Sequence, residues 1–419
     1  MANRTRGTTA ANPLRLPEIG LSTTPTEFDR TDERRLPLWA EPEPDFAALR
    51  REFGALVPVE LAPGVPATLV IGYRVALSIL NDPDRFPADP RAWEPTVPPE
   101  CPVLPQLRYQ PNAFRSAGFE HARLREVLVA ALDEIDLHAV HTVVERTAVP
   151  LINGFCADGA ADLVTRYAGP LVFAVVNALL GCPPEISARA AAGLADLLGG
   201  TEAERGRRAF RAALDDLVQA KRGHPGADVT SGLLRHGTAL NDEELLQQIY
   251  LLYGIGTEPV QALIVNALRL VLTDARFDAT LGGSLSTRDA LDQVLFDDPP
   301  PPNKIFSYPR QPVLIGNTWL AANRPVVISL AGCNRDPEIA GDHTGNRAHL
   351  AWSAGPHACP ARSLGYLIAE TAVDQLLDAL PELELAVPDA ELRRHTSPLH
   401  RTLAELPVTF PPAPPLPPR

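Results

Sequence analysis

The chain has 419 residues, of which 45% are hydrophobic, and a formal net charge of −13 at pH 7. No run approaches about 18 uninterrupted apolar residues, so we expect a globular protein without a membrane span, and the acidic balance argues against nucleic acid as a partner. The five cysteines form no Cys-x-x-Cys pair, which favours a reducing cytoplasm over a disulfide framework.

Both ends of the chain are predicted to lie outside the folded body. Residues 1–40 are expected to form a partly disordered N-terminal arm, and the stretch Met1–Glu18 has arginines but no apolar core, so it is not a secretory signal. The proline-rich residues 411–419 predict a disordered tail. A single large domain is therefore expected over residues 41–410.

This domain is predicted to be mostly α with a small β lobe. Residues 54–74 have the pattern of a β-hairpin, and strand signals return at 312–315 and 325–330. Helical periodicity dominates the rest. The predicted helices cover about residues 74–81, 117–134, 138–156, 161–180, 203–222, 242–275, 288–297 and 361–380.

The most informative segment runs from Trp352 to Gly365 and reads Trp-Ser-Ala-Gly-Pro-His-Ala-Cys-Pro-Ala-Arg-Ser-Leu-Gly. It brings Cys359 to the start of an amphipathic helix, with Pro360 at the first helical position, where its missing N–H costs nothing. Helix N-termini lower thiol pKa values and so favour the thiolate that binds metals. The alternative is a buried structural cysteine.

This segment resembles the haem-binding loop of the cytochrome P450 family, whose usual form is Phe-Gly-x-Gly-x-His-x-Cys-x-Gly/Ala. Trp352 stands for the Phe, Gly355 for the second Gly and His357 for the His, while Ala361 takes the last position. Weaker resemblances to soluble bacterial members follow in family order from about residue 50. They lie at 82–86, 161–168, 179–183, 225–231, 241–245 and 334–337.

The resemblance implies the haem-thiolate fold, with heme b as the cofactor and Cys359 as the axial ligand to iron. Thiolate ligation pushes electron density onto iron and favours O–O cleavage. The resemblance also assigns the haem propionates to His357 and to His121 and Arg125, which share a helix face, and it places Trp352 beside the haem. For His121 and Arg125, a solvated polar face is the alternative.

A further arginine of the family lies in the strand after the proline run. In this chain its position falls on Ser307, and Arg310 is a weak substitute. Arg115, before the helix that carries His121, and Arg123, within it, are expected to point elsewhere.

The central helix departs from the family pattern Ala/Gly-Gly-x-acid-Thr. One register makes Thr257 the oxygen-site hydroxyl; the gapless register, which we prefer, puts Gly256 on the Gly, Glu258 on the acid and Pro259 on the threonine. Pro259 removes an N–H and is expected to widen the helix locally. Catalytic protons are then expected from Thr257, from Glu258, through water, or from the substrate. For Glu258, a helix-surface carboxylate is the alternative.

The near-universal Glu-x-x-Arg of the family is also missing. In this chain the Glu position falls on Gln293 and the Arg position on Phe296, so an amide and an aromatic ring replace a buried ion pair. Losing both charges together can be neutral, because the desolvation penalty disappears with the Coulomb gain. The segment resembles an actinobacterial subgroup with Asp/Glu-Gln-x-x-Trp/Phe at this site.

The resemblance implies an oxidoreductase that oxidises a small organic molecule in natural-product metabolism, with electrons from ferredoxin and ferredoxin reductase. We expect hydroxylation or epoxidation, or oxidative C–C or C–N coupling of aromatic rings, and the missing threonine favours coupling. One alternative is a non-catalytic haem protein that acts as a ligand sensor or as the partner of another oxygenase. Another is a non-haem thiol protein.

Substrate-pocket walls are assigned by resemblance alone. The assigned positions are Trp93, Ile255, Gly256, Pro259, Ile305, Pro398 and Leu399. A redox partner is expected to dock over Cys359, where Arg335, Arg347 and Arg362 would present a cationic patch to an acidic ferredoxin. Ordinary surface is the alternative for these arginines.

Overall fold

The computed structural model of the chain describes residues 19–20, 35–38, 44–199, 203–237, 239–277, 285–303, 305–339, 341, 345–395 and 402–417. Within these residues the predicted fold class is confirmed, because one mostly helical body carries a small β lobe. The helices are α1 Phe46–Phe53, α2 Tyr73–Leu80, α3 Leu104–Leu107, α4 Gly118–Asp133, α5 Leu137–Asn153, α6 Gly169–Leu179, α7 Pro184–Gly199, α8 Ala203–Gly223, α9 Val229–His236, α10 Asp242–Gly256, α11 Glu258–Thr273, α12 Thr287–Asp297, α13 Leu330–Asn334 and α14 Arg362–Ala379.

The β lobe is a five-stranded sheet in the order β2-β3-β4-β9-β6. The strands of all sheets are β1 Ile19–Gly20, β2 Leu36–Pro37, β3 Leu56–Ala62, β4 Val65–Val70, β5 Ala160–Asp162, β6 Ile305–Ser307, β7 Val313–Ile315, β8 Thr318–Leu320, β9 Val326–Ile328, β10 Glu384–Leu385 and β11 Pro407–Thr409. Strands β3 and β4 form the predicted hairpin, and β4 pairs in parallel with β9. Two three-stranded sheets, β1-β7-β8 and β10-β11-β5, complete the described strands.

The central helix is interrupted at Thr257, between α10 and α11. Pro259 stands in the first turn of α11 and has no N–H to donate to the preceding turn, which explains the break. The run Asp242–Thr273 is long and apolar enough to cross a membrane by length and composition. Its buried residues, including Leu263 and Ile264, belong to the main hydrophobic core, so in this fold the run is a core helix.

The prediction of one helix over 161–180 is wrong at its start. Residues 160–162 form β5, and a π-helical turn over Val164–Ala168 precedes α6. The Asp162 carboxylate explains the change, because it accepts bonds from the N–H groups of Val164 and Leu406 and so ties this segment to the C-terminal strand β11.

Helices α7 and α9 were not predicted from periodicity. Helix α7 packs closely along α8, and a Cβ on Gly193 would lie 2.6 Å from the backbone nitrogen of Phe210, so glycine is needed at this crossing. Residues of both helices, Leu197 of α7 and Arg207 of α8 among them, form one wall of a large cavity.

The prediction that the proline-rich tail is disordered is wrong for residues 411–417. Leu416 exchanges two hydrogen bonds with the Asn153 side chain, at 2.7 and 3.0 Å, and the Ala413 N–H donates to the Cys156 carbonyl. Leu416 and Ala413 also pack against the main core. In the predicted N-terminal arm, β2 pairs with β3; most of the arm lies outside the described residues.

Candidate active site

The loop that precedes Cys359 is a tight turn fixed by its own backbone. The Cys359 N–H donates to the Trp352 carbonyl at 2.8 Å, and the Ala358 N–H donates to the Gly355 carbonyl at 3.0 Å. Gly355 has φ +66°, and a Cβ there would lie 2.1 Å from the Leu80 carbonyl oxygen, so only glycine fits. Two independent constraints therefore select glycine at this position.

The helix after the cysteine begins later than predicted. Helix α14 starts at Arg362 with Ala361 as its N-cap, so the placement of Pro360 at the first helical position is wrong. Burial raises the pKa of the Cys359 thiol, opposed by a backbone hydrogen bond from Ala361 and by the charge of Arg125. The expected lowering of the pKa is therefore not found in the unliganded chain. Metal binding itself would release the thiol proton.

Cys359 opens into a cavity of about 980 Å³. A second, overlapping cavity of about 770 Å³ also includes Cys359. Of the five cysteines, all of which are described, Cys359 alone lines these two cavities. The apolar walls of the first include Leu128, Leu132, Leu251, Leu252, Ile255, Pro259, Pro300, Pro301, Ile305, Leu330 and Ala351.

The three predicted propionate contacts meet at one edge of the first cavity. His357 and Arg125 line it, and the ring centroid of His121 lies 3.9 Å from that of His357. His121 is 7% exposed, so the alternative of a solvated face is wrong for it. Its Nε2 atom is buried and has no hydrogen-bond partner among the described residues. Burial lowers the pKa of His357 to about 3 and also lowers the pKa of His121.

Arg115 does not point elsewhere, as the sequence predicted. Its side chain is buried and lines a smaller cavity of about 480 Å³ together with His357, Ser307 and Ser353. Arg123 does point away from the site, because it forms an ion pair with Glu244. The sequence interpretation therefore missed one of the cations beside the site.

The residues present fit a haem group. A thiol faces apolar walls, as an iron–porphyrin requires, and cations with an orphaned imidazole nitrogen lie at one edge, where carboxylates would need donors. Trp352 lines the cavity beside Cys359, and its ring also packs on α14, where a Cβ on Gly365 would lie 2.9 Å from it.

The central helix presents an apolar face to the cavity. Leu252, Ile255, Gly256 and Pro259 line it, which agrees with the preferred register. Thr257 and Glu258 line neither of the two cavities that contain Cys359, although the Thr257 Oγ1 is buried without a hydrogen-bond partner among the described residues. The described part of this helix therefore offers these cavities no hydroxyl or carboxylate.

Four of the predicted pocket positions line the cavity, namely Ile255, Gly256, Pro259 and Ile305. Trp93 does not. Its side chain is 2% exposed and packs in the β-lobe core, with its ring centroid 5.8 Å from that of Tyr308. The predictions for Pro398 and Leu399 lie outside the described residues.

A larger cavity of about 2030 Å³ lies next to the first and shares Phe114, Leu251 and Ile255 with it. Helices α7 and α8 form its outer wall through Leu197, Arg207, Arg211 and Leu214. The site therefore consists of an apolar inner cavity over Cys359 and a more polar outer one.

Sequence reasoning missed a buried carboxylate directly before Gln293, the position that the resemblance gives to the Glu of Glu-x-x-Arg. Asp292, with 4% of its side chain exposed, accepts a hydrogen bond from the Tyr366 hydroxyl at 2.5 Å and pairs with Arg347 Nε at 3.1 Å. His349 Nε2 lies 3.3 Å from the same hydroxyl. This network joins α12 to α14 and to the segment before the Cys359 loop. Arg347, predicted as part of a docking patch, is thus paired.

Gln293 and Phe296 both lie in α12. The Gln293 amide donates to Asp297 within α12. The Phe296 ring is fully buried and meets His349 edge-on, with centroids 5.2 Å apart.

Comparison with known proteins places this geometry in a family. No protein-family model matches the chain. Biflaviolin synthase of Streptomyces coelicolor is 30% identical over 387 residues, which cover 88% of this chain and 93% of that protein. The chain belongs to the cytochrome P450 family. Cytochrome P450 monooxygenase PikC of Streptomyces venezuelae is 29% identical over 400 residues, which cover 88% of this chain and 91% of PikC.

Solved P450 structures agree with the fold. The testerone-bound CYP154C4 from Streptomyces sp. ATCC 11861 superposes with a TM-score of 0.81 at 26% identity, covering 90% of this chain and 98% of that one. The cofactor of this P450 is accordingly haem with an axial cysteine thiolate.

Proposed function

We propose that this P450 oxidises a small organic molecule in natural-product biosynthesis, in the cytoplasm and with electrons from a ferredoxin, and that Cys359 is the axial ligand. The observation that carries the proposal is the position of Cys359 in an apolar cavity with His357 and Arg125 at its edge. Named relatives support the substrate class, since they include 2-hydroxy-5-methyl-1-naphthoate 7-hydroxylase of Streptomyces carzinostaticus, 29% identical over 382 residues, which cover 85% of this chain and 92% of that protein.

Haem bound here would supply dioxygen activation, with the thiolate favouring O–O cleavage. The residues around it exclude water and hold the substrate. Ile255 and Ile305 provide apolar contact beside the reacting centre, and Gly256 leaves space next to them. The outer cavity, bounded by α7 and α8, would receive the remainder of the substrate.

Proton delivery is the unusual feature of this site. Pro259 lines the cavity and has no donor, and the central helix carries a hydroxyl on Thr257, one residue from the cavity-lining Gly256. We assign Thr257 a relay role through a water molecule, because its buried Oγ1 has no partner among the described residues and a bridging water would satisfy it. Glu258, next to it, is the proposed source of the proton.

We favour oxidative coupling over hydroxylation as the reaction. In coupling, two aromatic C–H bonds are replaced by one C–C bond, and O₂ with two electrons and two protons leaves as two waters. A phenolic substrate can bring an acidic proton of its own, which suits a cavity face without a donor. Hydroxylation instead inserts one oxygen atom into a C–H bond and releases one water.

The two reactions are separated by turnover under ¹⁸O₂ with a ferredoxin and ferredoxin reductase, using 1-naphthol as the probe. Coupling predicts a dimer that has lost two hydrogens and carries no label, whereas labelled product contradicts it. Cys359→Ser protein is the matched control and should give neither product. A ligand-dependent spectral change without any turnover would instead favour a non-catalytic haem protein.

A further inference from the structure

The small cavity of about 480 Å³ beside the Cys359 loop has a polar lining, unlike the inner cavity. Four polar side chains converge on it, Arg115, His357, Ser307 and Ser353. It shares Phe114 with both the inner and the outer cavity, so it lies where the haem space and the substrate space meet.

Arg115 is buried here without a counter-ion. It is 4% exposed, and its described partners are the Gln106 carbonyl at 3.1 Å and the rings of Phe114 and Phe306, whose centroids lie 4.7 and 5.6 Å from the guanidinium carbon. No carboxylate of the described chain pairs with it. A guanidinium is costly to bury unless it is paired, so the empty place beside it is expected to receive an anion.

A hydroxyl oxygen in the same cavity has no hydrogen-bond partner within the described part of the chain. The Ser353 Oγ is buried and makes no hydrogen bond to the described residues, and Ser353 holds φ +59°, a conformation that is uncommon outside glycine. Ser307, which also lines this cavity, is 5% exposed and stands where the family resemblance places an arginine. Strand β6 therefore lacks the arginine that the resemblance places there, and Arg115, in the loop before α4, supplies a cation to the same cavity.

We propose that Arg115, with Ser353, binds a carboxylate of a ligand at the junction of these cavities. Guanidinium groups bind carboxylates in a bidentate manner, and such charge-assisted bonds are about twice as strong as neutral ones. Two ligands can bring this group, a haem propionate or an acidic substrate. The inference rests on the proposed haem site, which a reduced carbon monoxide difference spectrum of wild type and Cys359→Ser protein tests independently.

The haem arm of the test measures transfer of haem from purified holoprotein to apomyoglobin. Arg115→Met keeps an unbranched side chain close to the length of the arginine stem and removes the charge, and a propionate role predicts haem loss about ten-fold faster or more. Arg108→Met, on the same loop and exposed, is the matched control and should lose haem at the wild-type rate. Ser307→Arg added to Arg115→Met should restore retention, which a merely structural role of Arg115 would not predict.

The substrate arm titrates fully haem-loaded protein with 2-naphthoate and with its uncharged amide, and follows the haem absorption. A substrate role predicts that Arg115→Met weakens naphthoate binding about ten-fold or more with little change for the amide, while haem transfer stays at the wild-type rate. Arg115→Lys keeps the charge and should fall between wild type and Arg115→Met in whichever arm responds. Unchanged haem transfer, together with no naphthoate binding that depends on Arg115, would overturn the proposal.

Discussion

The buried Asp292 network is predicted to stabilise the fold around the Cys359 loop. Asp292→Asn removes the charge, leaves Arg347 without a counter-ion and introduces a buried amide N–H₂ with no designed acceptor. Half of the Arg347 side chain is exposed, so water largely compensates for the loss of its ion pair with Asp292. The amide oxygen of the new side chain can still accept from the Tyr366 hydroxyl, but the buried N–H₂ group takes the place of the oxygen that accepts from Arg347 and has no acceptor there. This uncompensated amide should cost about 1–3 kcal/mol in the free energy of unfolding.

The measurement is urea unfolding of holoprotein followed by far-ultraviolet circular dichroism. Asp216→Asn is the matched control, since its pair with Arg189 is about half exposed on both sides, at 53% and 52% of the side chains, and it should change the free energy by about 0.5 kcal/mol or less. If Asp292→Asn lies within about 0.5 kcal/mol of wild type, the reasoning that this carboxylate stabilises the junction is refuted.

Three further predictions concern the loop, the tail and the buried histidine. In the urea unfolding assay, Gly355→Ala should destabilise the holoprotein by about 2–4 kcal/mol, because φ is +66° and the new Cβ would meet the Leu80 carbonyl. Gly316→Ala, at φ +58° with no atom within 4 Å, should cost only about 1 kcal/mol, and equal losses would contradict the clash. Asn153→Ala should release the C-terminal tail, seen as faster carboxypeptidase digestion with little change in global unfolding; unchanged digestion would contradict the docking role. Burial lowers the pKa of His349 to about 4, so the stability that its neutral form provides is complete above about pH 6.5 and is lost as the pH falls towards 4. Relative to His349→Phe, wild type should lose about 3 kcal/mol between pH 7 and pH 4, and parallel pH profiles would contradict this.

The parts of the site that lie close together in sequence could be predicted from it. The Trp352–Gly365 segment carries its own turn, so the loop was recognisable from residue types and spacing alone. His121 and Arg125 likewise share a face of one helix, and the gapless register of the central helix correctly put Pro259 against the cavity.

The parts that depend on distant contacts could not be predicted. Arg115 lies beside a cavity that Phe306 and Ser307, far along the chain, help to line, and the Phe306 ring packs against its guanidinium. Asp292 and Arg347 are 55 residues apart and meet only in the fold. The tail is ordered by Asn153, 263 residues away from its partner Leu416, so composition alone predicted disorder.

The most direct test of the central claim is the reduced carbon monoxide difference spectrum of the purified protein. Wild type should give a band at about 450 nm, the marker of thiolate-bound iron, and so should the control Cys182→Ser, whose cysteine lies outside the Cys359 loop. Cys359→Ser should lose this band. An unchanged band in Cys359→Ser would contradict the assignment of Cys359 as the axial ligand.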